Sequence, residues 1–439
     1  MKIKKLVACL LTASFLACIT PPENAQAATL KIRYGGKTRY YTGKQLSFTY
    51  AKNNLSSKYP GIQISGINMI PYYDYLVSSG PQVKRSYNKK SGKLVLKYGT
   101  RTLTAYVGKR TYYLNGKKKT FSKAPTKVKY YTTGKTIILL PANALISNLG
   151  LEYSYIPYEK RIHINKTGYY YLYSANTSTR YPQNLTNYNK AQLQQTGFYN
   201  GEKLTAATYK AQIDPASDTT HGYQFLRLNV YRPVRSTTYN SMLDSKLKSG
   251  SVLKNKGSSL CSVAKTYNID PVYFLCQTIF ETGYGTSTLS QGKYITKVVS
   301  GSSVVRDKNG IVTGFKKVNG KYITKTISRQ KVYNLYGLKS YDDDPQLCGF
   351  SYAYYMGWTS IDKAINGAAK YISQEYINNT TYKQNTLYKY RYNPNTSYFW
   401  HQYSTDPAYA QRISLIMYNQ FRSAYATGNI LTYDKPVFP

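Results

Sequence analysis

Residues 268–287 read NIDPVYFLCQTIFETGYGTS, and this stretch decides how the C-terminal half is built. Asp270-Pro271 is a helix opening: a carboxylate at the N-cap, then proline at the first helical position, where its missing N–H costs nothing. Val272, Leu275, Cys276 and Ile279 follow at i, i+3, i+4 and i+7, the spacing of one buried helix face. Gly283 and Gly285 stop the helix and leave Glu281 in its last turn. The negative end of the helix dipole disfavours an ionised carboxylate there, and Phe280 and Tyr284 flank it with apolar surface. Both effects raise a carboxyl pKa. An acid still protonated near neutral pH is what glycosidic cleavage requires, and the two glycines would let a polymer approach closely. The bland reading of the same residues is a solvated glutamate at a helix end.

Working outward, residues from about 221 read as helical. Ser258–Tyr267 is one helix. Thr359 and Asp362 form a capping-box-like pair ahead of Ile361, Ala364, Ile365, Ala368 and Ile372. Asp406-Pro407 opens a last helix with Ala410, Ile413, Met417 and Phe421 along one stripe. Residues 291–330 alternate polar and apolar, with Asn309-Gly310 and Asn319-Gly320 as turns, so a β excursion interrupts the helices. Residues 28–165 are β-rich: strands at 93–98, 102–107 and 111–114, a hairpin signal at Asn115-Gly116, an apolar strand at 136–140, and a short helix from Ala142 to Leu149 closed by Gly150. Residues 166–220, with Tyr169-Tyr170-Tyr171 and a Ser/Thr/Asn-rich run, show no sustained period beyond a short helix over 190–195, and read as a linker. Residues 430–439 read as a tail. The expected architecture is multi-domain: a small α+β, β-rich N-terminal module, then a mainly α domain over 221–429 with a small β-lobe.

Residues 1–27 read as an export signal: Lys2, Lys4 and Lys5, an apolar run from Leu6 to Ile19, and Ala25-Gln26-Ala27 at the cleavage site. The run is too short for a stable span, and no later stretch reaches the ~20 apolar residues a membrane helix needs. Cleavage would leave Cys261, Cys276 and Cys348, an odd number, and the spacing does not choose a pair. The 439 residues carry 60 Lys/Arg against 18 Asp/Glu, a net charge of +42 that cleavage lowers to +40. Such a surface calls for a polyanionic partner. The excess is densest in residues 28–165, with 25 basic against 3 acidic residues. Three His make a His-rich metal centre untenable, and neither metal nor cofactor is expected. Tyrosine is the other anomaly, 52 residues against 12 Phe and 2 Trp.

The segment Glu281–Ser287, with Gln277 one turn earlier and Asn268–Pro271 before it, resembles the catalytic segment of bacterial cell-wall endo-β-N-acetylglucosaminidases, glycoside hydrolase family 73, in the autolysin branch. The resemblance runs from about 221 to 425 in order: Phe225–Leu228, Val332–Leu338 with Tyr341-Asp342, Gly357–Thr359, Ala364–Ala369, Gln384–Lys389, Arg391–Pro394 and His401–Asp406. Tyr392 stands where Trp is common, Ala368 where Gly is, and Cys276 is unusual in that helix. The resemblance implies a lysozyme-like domain that cuts the β-1,4 bond after N-acetylglucosamine in peptidoglycan glycan strands. It makes Glu281 the general acid, Asp342 the first candidate for a second carboxylate with Asp343 and Asp344 beside it, and Tyr403 a group that orients water or the acetamido function. Without a facing carboxylate, the substrate's own acetamido group would attack. Gln277, Tyr284, Tyr336, Trp358, Arg391 and His401 become candidates for holding substrate, with packing or structural hydrogen bonds as the other reading for Trp358, Arg391 and His401.

Residues 66–72, 87–90, 113–117, 140–153 and 161–164 resemble the copper-amine-oxidase-like N-terminal domain, which implies a wall-binding or spacer module without oxidase chemistry. His163 is alone there, so no copper is expected. Teichoic acids and wall phosphates are the simplest polyanions for an exported basic protein of a Gram-positive bacterium. A muramidase or lytic transglycosylase on the same fold, or a non-catalytic wall adhesin, are the rival readings. A nucleic-acid partner is set aside because no recognition module accompanies the charge.

Overall fold

The computed structural model describes residues 29–41, 45–168 and 170–439. The segment expected to direct export, 1–27, with its cysteines, and Tyr169 lie outside the described residues. The first half is β-rich and the second mainly helical.

In the N-terminal region, alternation of buried and exposed side chains produces three sheets. A six-stranded sheet carries Lys37–Tyr41, Leu30–Tyr34, Thr126–Tyr130 and Thr136–Pro141 side by side. A five-stranded meander runs from Lys84–Tyr87 through Lys93–Tyr98, Arg101–Tyr106 and Thr111–Leu114 to Lys117–Thr120. Its last hairpin turns at Asn115 and Gly116, both with positive φ, as that dipeptide demands. A four-stranded sheet pairs Arg161–Lys166 in parallel with Ser47–Tyr50. The short helix Ala142–Asn148 buries Leu145 and Ile146 against Leu94, Leu96 and Leu103. His163 is buried, with Nδ1 2.5 Å from the Thr49 hydroxyl, and burial together with Arg161 lowers its pKa to about 3. Among the described residues no three His, Cys, Asp or Glu side chains gather as a metal site would require.

The stretch expected to be a linker, 166–220, is folded onto the helical region. Tyr173–Arg180 pairs in parallel, over eight residues, with Ile430–Val437, so the expected tail is a strand. Helices Leu185–Gln195 and Ala206–Ile213 flank a hairpin, Phe198–Tyr199 with Glu202–Lys203. Tyr181, Tyr188 and Tyr209 are fully buried, packed in one cluster with Tyr388 and Tyr392. The Tyr181 and Tyr188 hydroxyls donate to the carbonyls of Tyr392 and Asn393, at 2.7 and 2.8 Å. Tyrosine explains the misreading: its ring is buried as an apolar body while its hydroxyl answers loop carbonyls, so the core leaves no plain apolar period.

The helix Pro271–Glu281 sits at the centre of the second half, with residues 271–279 all buried. Asp270 caps it, accepting from the Tyr273 N–H at 2.9 Å. The same carboxylate takes a bond from the Tyr425 hydroxyl and pairs with the fully buried Arg232, each at 2.8 Å. This anchor fixes where the far end of the helix points. Ser236–Lys246, Gly257–Thr266, Pro345–Tyr355, Ile361–Ile372 and Tyr409–Ile416 are the longer helices packed around it. Two caps differ from expectation. Ser360, not Thr359, caps the helix Ile361–Ile372, and Asp362 instead binds Lys256 and Ser259. Asp406 accepts from the Ala408 N–H, so the last helix begins three residues after it. The β excursion is two hairpins: Lys293–Val299 with Thr324–Val332, and Val304–Arg306 with Val312–Phe315. Cys261, Cys276 and Cys348 are free thiols. Among the described residues no helix is long and apolar enough to cross a membrane.

Candidate active site

Glu281 ends its helix at the floor of a pocket of about 320 Å³. The walls come from four places: Tyr199 of the 198–203 hairpin, Tyr336–Lys339, Tyr371 and Tyr376, and the run Tyr403–Tyr409. Beyond Glu281 the helix is forced to stop. Gly283, Tyr284 and Gly285 have φ of +55°, +60° and +78°, and a Cβ on Gly285 would stand 2.3 Å from the Ser251 hydroxyl. The glycine at 285 therefore serves close packing against the protein's own 251–253 segment rather than approach of a polymer. Tyr284 is half-buried on the core side and does not line the pocket.

The Tyr409 hydroxyl donates to Glu281 Oε1 at 2.7 Å. Tyr403 and Gln277 also lie within its hydrogen-bonding environment, and all three favour the ionised form. Burial outweighs them, so the carboxyl sits above its ordinary value of 4.5. Gln277 is fully buried; Tyr273 donates to its Oε1, while its Nε2 has no partner of normal geometry. Tyr403 and Tyr409 are pushed well above 10 by burial and by the neighbouring Glu281, so both remain neutral donors. Tyr336 lines the pocket and bonds the Thr278 hydroxyl at 2.9 Å. The site thus offers one carboxyl raised by burial and ringed by neutral hydroxyls, with Lys339 as its cationic edge.

The remaining expected site residues are elsewhere. Asp342 is exposed and does not line the pocket, although Lys339, three residues earlier, does. Asp343 is held by Lys317 and Tyr322, and Asp344 caps the helix Pro345–Tyr355. Asp343 is thus committed to the β excursion and Asp344 to its helix cap. The second carboxylate among the lining residues is Asp406, and it is already occupied by the Ala408 N–H and Arg412. Trp358 is a packing anchor: it is 5% exposed, and a Cβ on Gly367 would stand 2.2 Å from its Nε1. Arg391 is fully buried, donating to the carbonyls of Asp406 and Thr405 and to Gln192, Gln402 and Tyr209. His401 bonds Gln384 at 2.6 Å and stacks on Tyr382 at 3.7 Å, outside the pocket. Tyr409 went unread in the sequence, though its place in the first turn after Asp406-Pro407 was a signal. Tyr199 had none, since it arrives from the presumed linker.

The Glucosaminidase family model, described as mannosyl-glycoprotein endo-beta-N-acetylglucosaminidase, matches residues 258–421, which take in the Glu281 helix and the pocket walls except Tyr199. The bifunctional autolysin of Staphylococcus epidermidis is 34% identical over 191 residues, 44% of this chain and 12% of the relative. That of Staphylococcus aureus is 34% identical over 212 residues, 48% of this chain and 14% of the relative. The chain therefore corresponds to a small part of these relatives. Among solved structures, S. aureus glucosaminidase B aligns at 24% identity, TM-score 0.42, covering 60% of this chain and 95% of that one.

Proposed function

We propose that residues 221–429 form an endo-β-N-acetylglucosaminidase that cuts the β-1,4 bond after N-acetylglucosamine in peptidoglycan, with Glu281 as general acid. One observation carries the reading: a carboxyl raised by burial at a pocket floor, on the helix inside the matched Glucosaminidase region. Protonated Glu281 gives its proton to the glycosidic oxygen as the bond to the anomeric carbon breaks. No uncommitted carboxylate stands among the lining residues to trap that carbon. The substrate's acetamido oxygen supplies the electron pair instead, forming a cyclic oxazolinium. Water, deprotonated by Glu281, then opens it with net retention of configuration. Gln277 and Tyr403 are placed to hold the acetamido group.

The N-terminal region, residues 28–165, is proposed to hold the enzyme on anionic wall polymers such as teichoic acid, after export directed by residues 1–27. Its charge supports this role, and its strand sequences support the copper-amine-oxidase-like assignment.

Digesting purified peptidoglycan with the protein and with Glu281→Gln, then reducing with borohydride and weighing the fragments, tests the proposal. Reduced N-acetylglucosamine ends from the wild type are expected, with the variant slower by about 10²–10⁴-fold. Reduced muramic or anhydro ends would move the cut to the other bond. Wall binding without fragments would make the protein an adhesin.

A further inference from the structure

A cleft larger than the Glu281 pocket lies elsewhere on the described residues. About 870 Å³ is enclosed between the strand Tyr173–Arg180, the loop 377–383 and the turn 394–396, and it shares no lining residue with the Glu281 pocket. Its lining is rich in amide and hydroxyl side chains, among them Asn229, Asn379, Asn385, Thr179 and Thr381. Such groups both donate and accept, which is what sugar hydroxyls and acetamido groups pair with. Asn229 Oδ1 and Arg227 Nε, both on residues of this wall, are buried without a partner.

Beside the cleft stands an aromatic platform. Of the two tryptophans, Trp358 is packed in the core, whereas Trp400 is 62% exposed. Its indole is held nearly perpendicular to Tyr382, Tyr398 and His401, at ring separations of 6.1, 6.5 and 5.4 Å. Tyr382 also lines the cleft and is itself fixed by its stack on His401. A braced indole in water, next to a trough of amides and hydroxyls, has the two halves of a saccharide site: an apolar face for the ring and polar groups for its substituents.

We propose that Trp400 and this cleft form a second saccharide-binding site, separate from the cleavage pocket, that takes N-acetylated glycan. The proposal rests on the glycan reading above. Its test uses the protein carrying Glu281→Gln, titrated calorimetrically with the N-acetylglucosamine hexamer, with and without Trp400→Ala. Two classes of site are expected in the parent. The Trp400→Ala protein should lose one of them, with at least tenfold weaker binding there, while its thermal midpoint stays unchanged because the side chain lies outside the core. Identical isotherms for the two proteins would overturn the second site. Cleavage of the same hexamer by the wild type reports separately on the glycosidase reading: cleavage with identical isotherms removes only the second site, and neither cleavage nor binding removes both.

Discussion

The Tyr409 hydroxyl donates to a carboxylate that burial drives toward the neutral form. The two influences oppose each other, and burial wins. With Glu281 as the proposed general acid, which must be protonated to act, activity is expected to fall as pH rises through its pKa. Tyr409→Phe removes a bond that favours ionisation, so that pKa climbs further. The alkaline limb of the kcat/KM profile should therefore move to higher pH, while kcat falls roughly tenfold for want of a positioning bond. A limb that stays put would show that Tyr409 orients Glu281 without tuning it. The helix end, flanking rings and glycines that single out Glu281 are all local, so the sequence displays them, and the structure puts that carboxyl in a pocket. Asp342 is exposed outside the pocket, because a pocket is assembled from loops far apart in the chain and sequence order does not say which of them face Glu281.

Helices and strands of regular period were read well. The helix Pro271–Glu281 matches its apolar spacing, and the meander strands match their alternation. Arg391 was a candidate for holding substrate, with a structural role as the other reading, yet it sits in the short helix Leu387–Arg391, every residue of which is buried. Its cations are structural. Arg391→Ala should cost about 3–5 kcal/mol in urea denaturation, because five hydrogen bonds vanish and buried acceptors are left unpaired. A raised KM with unchanged stability would return Arg391 to the glycan. Lys389, two residues earlier, pairs with Asp434 of the C-terminal strand at 2.7 Å, both side chains nearly buried. Burial lowers the Lys389 pKa, and Asp434 works against that fall. Asp434→Ala strands the ammonium and should cost a similar 3–5 kcal/mol at neutral pH. The sign of the pH dependence follows. With the folded-state pKa depressed further, the unfolded chain binds the extra proton, so the variant regains stability as pH rises toward the ordinary lysine value of 10.5. Denaturation midpoints at pH 7 and pH 10 that shift equally for variant and wild type would refute this.

At the scale of the whole molecule the excess charge has a definite geometry. On the outer sheet of the N-terminal region, Lys31, Arg33, Lys127 and Lys129 all project from exposed positions, and Arg33 lies opposite Lys129 across paired strands. Like charges facing each other on neighbouring strands are destabilising. Tyr131 moderates the repulsion, with Lys31 and Lys129 ammonium groups 4.8 and 5.5 Å from its ring centre. An anionic polymer laid along this face would relieve it more completely. Replacing the four cations with glutamine should therefore weaken adsorption to walls bearing phosphate polymers several-fold at low salt. The difference should vanish near 1 M salt, where the Debye length falls to about 3 Å. On walls stripped of their phosphate polymers the difference between the two proteins should shrink, since the densest anionic charge is gone. Adsorption of the fourfold variant equal to wild type on native walls, at low salt, would place the polyanion contact elsewhere and leave this region a spacer.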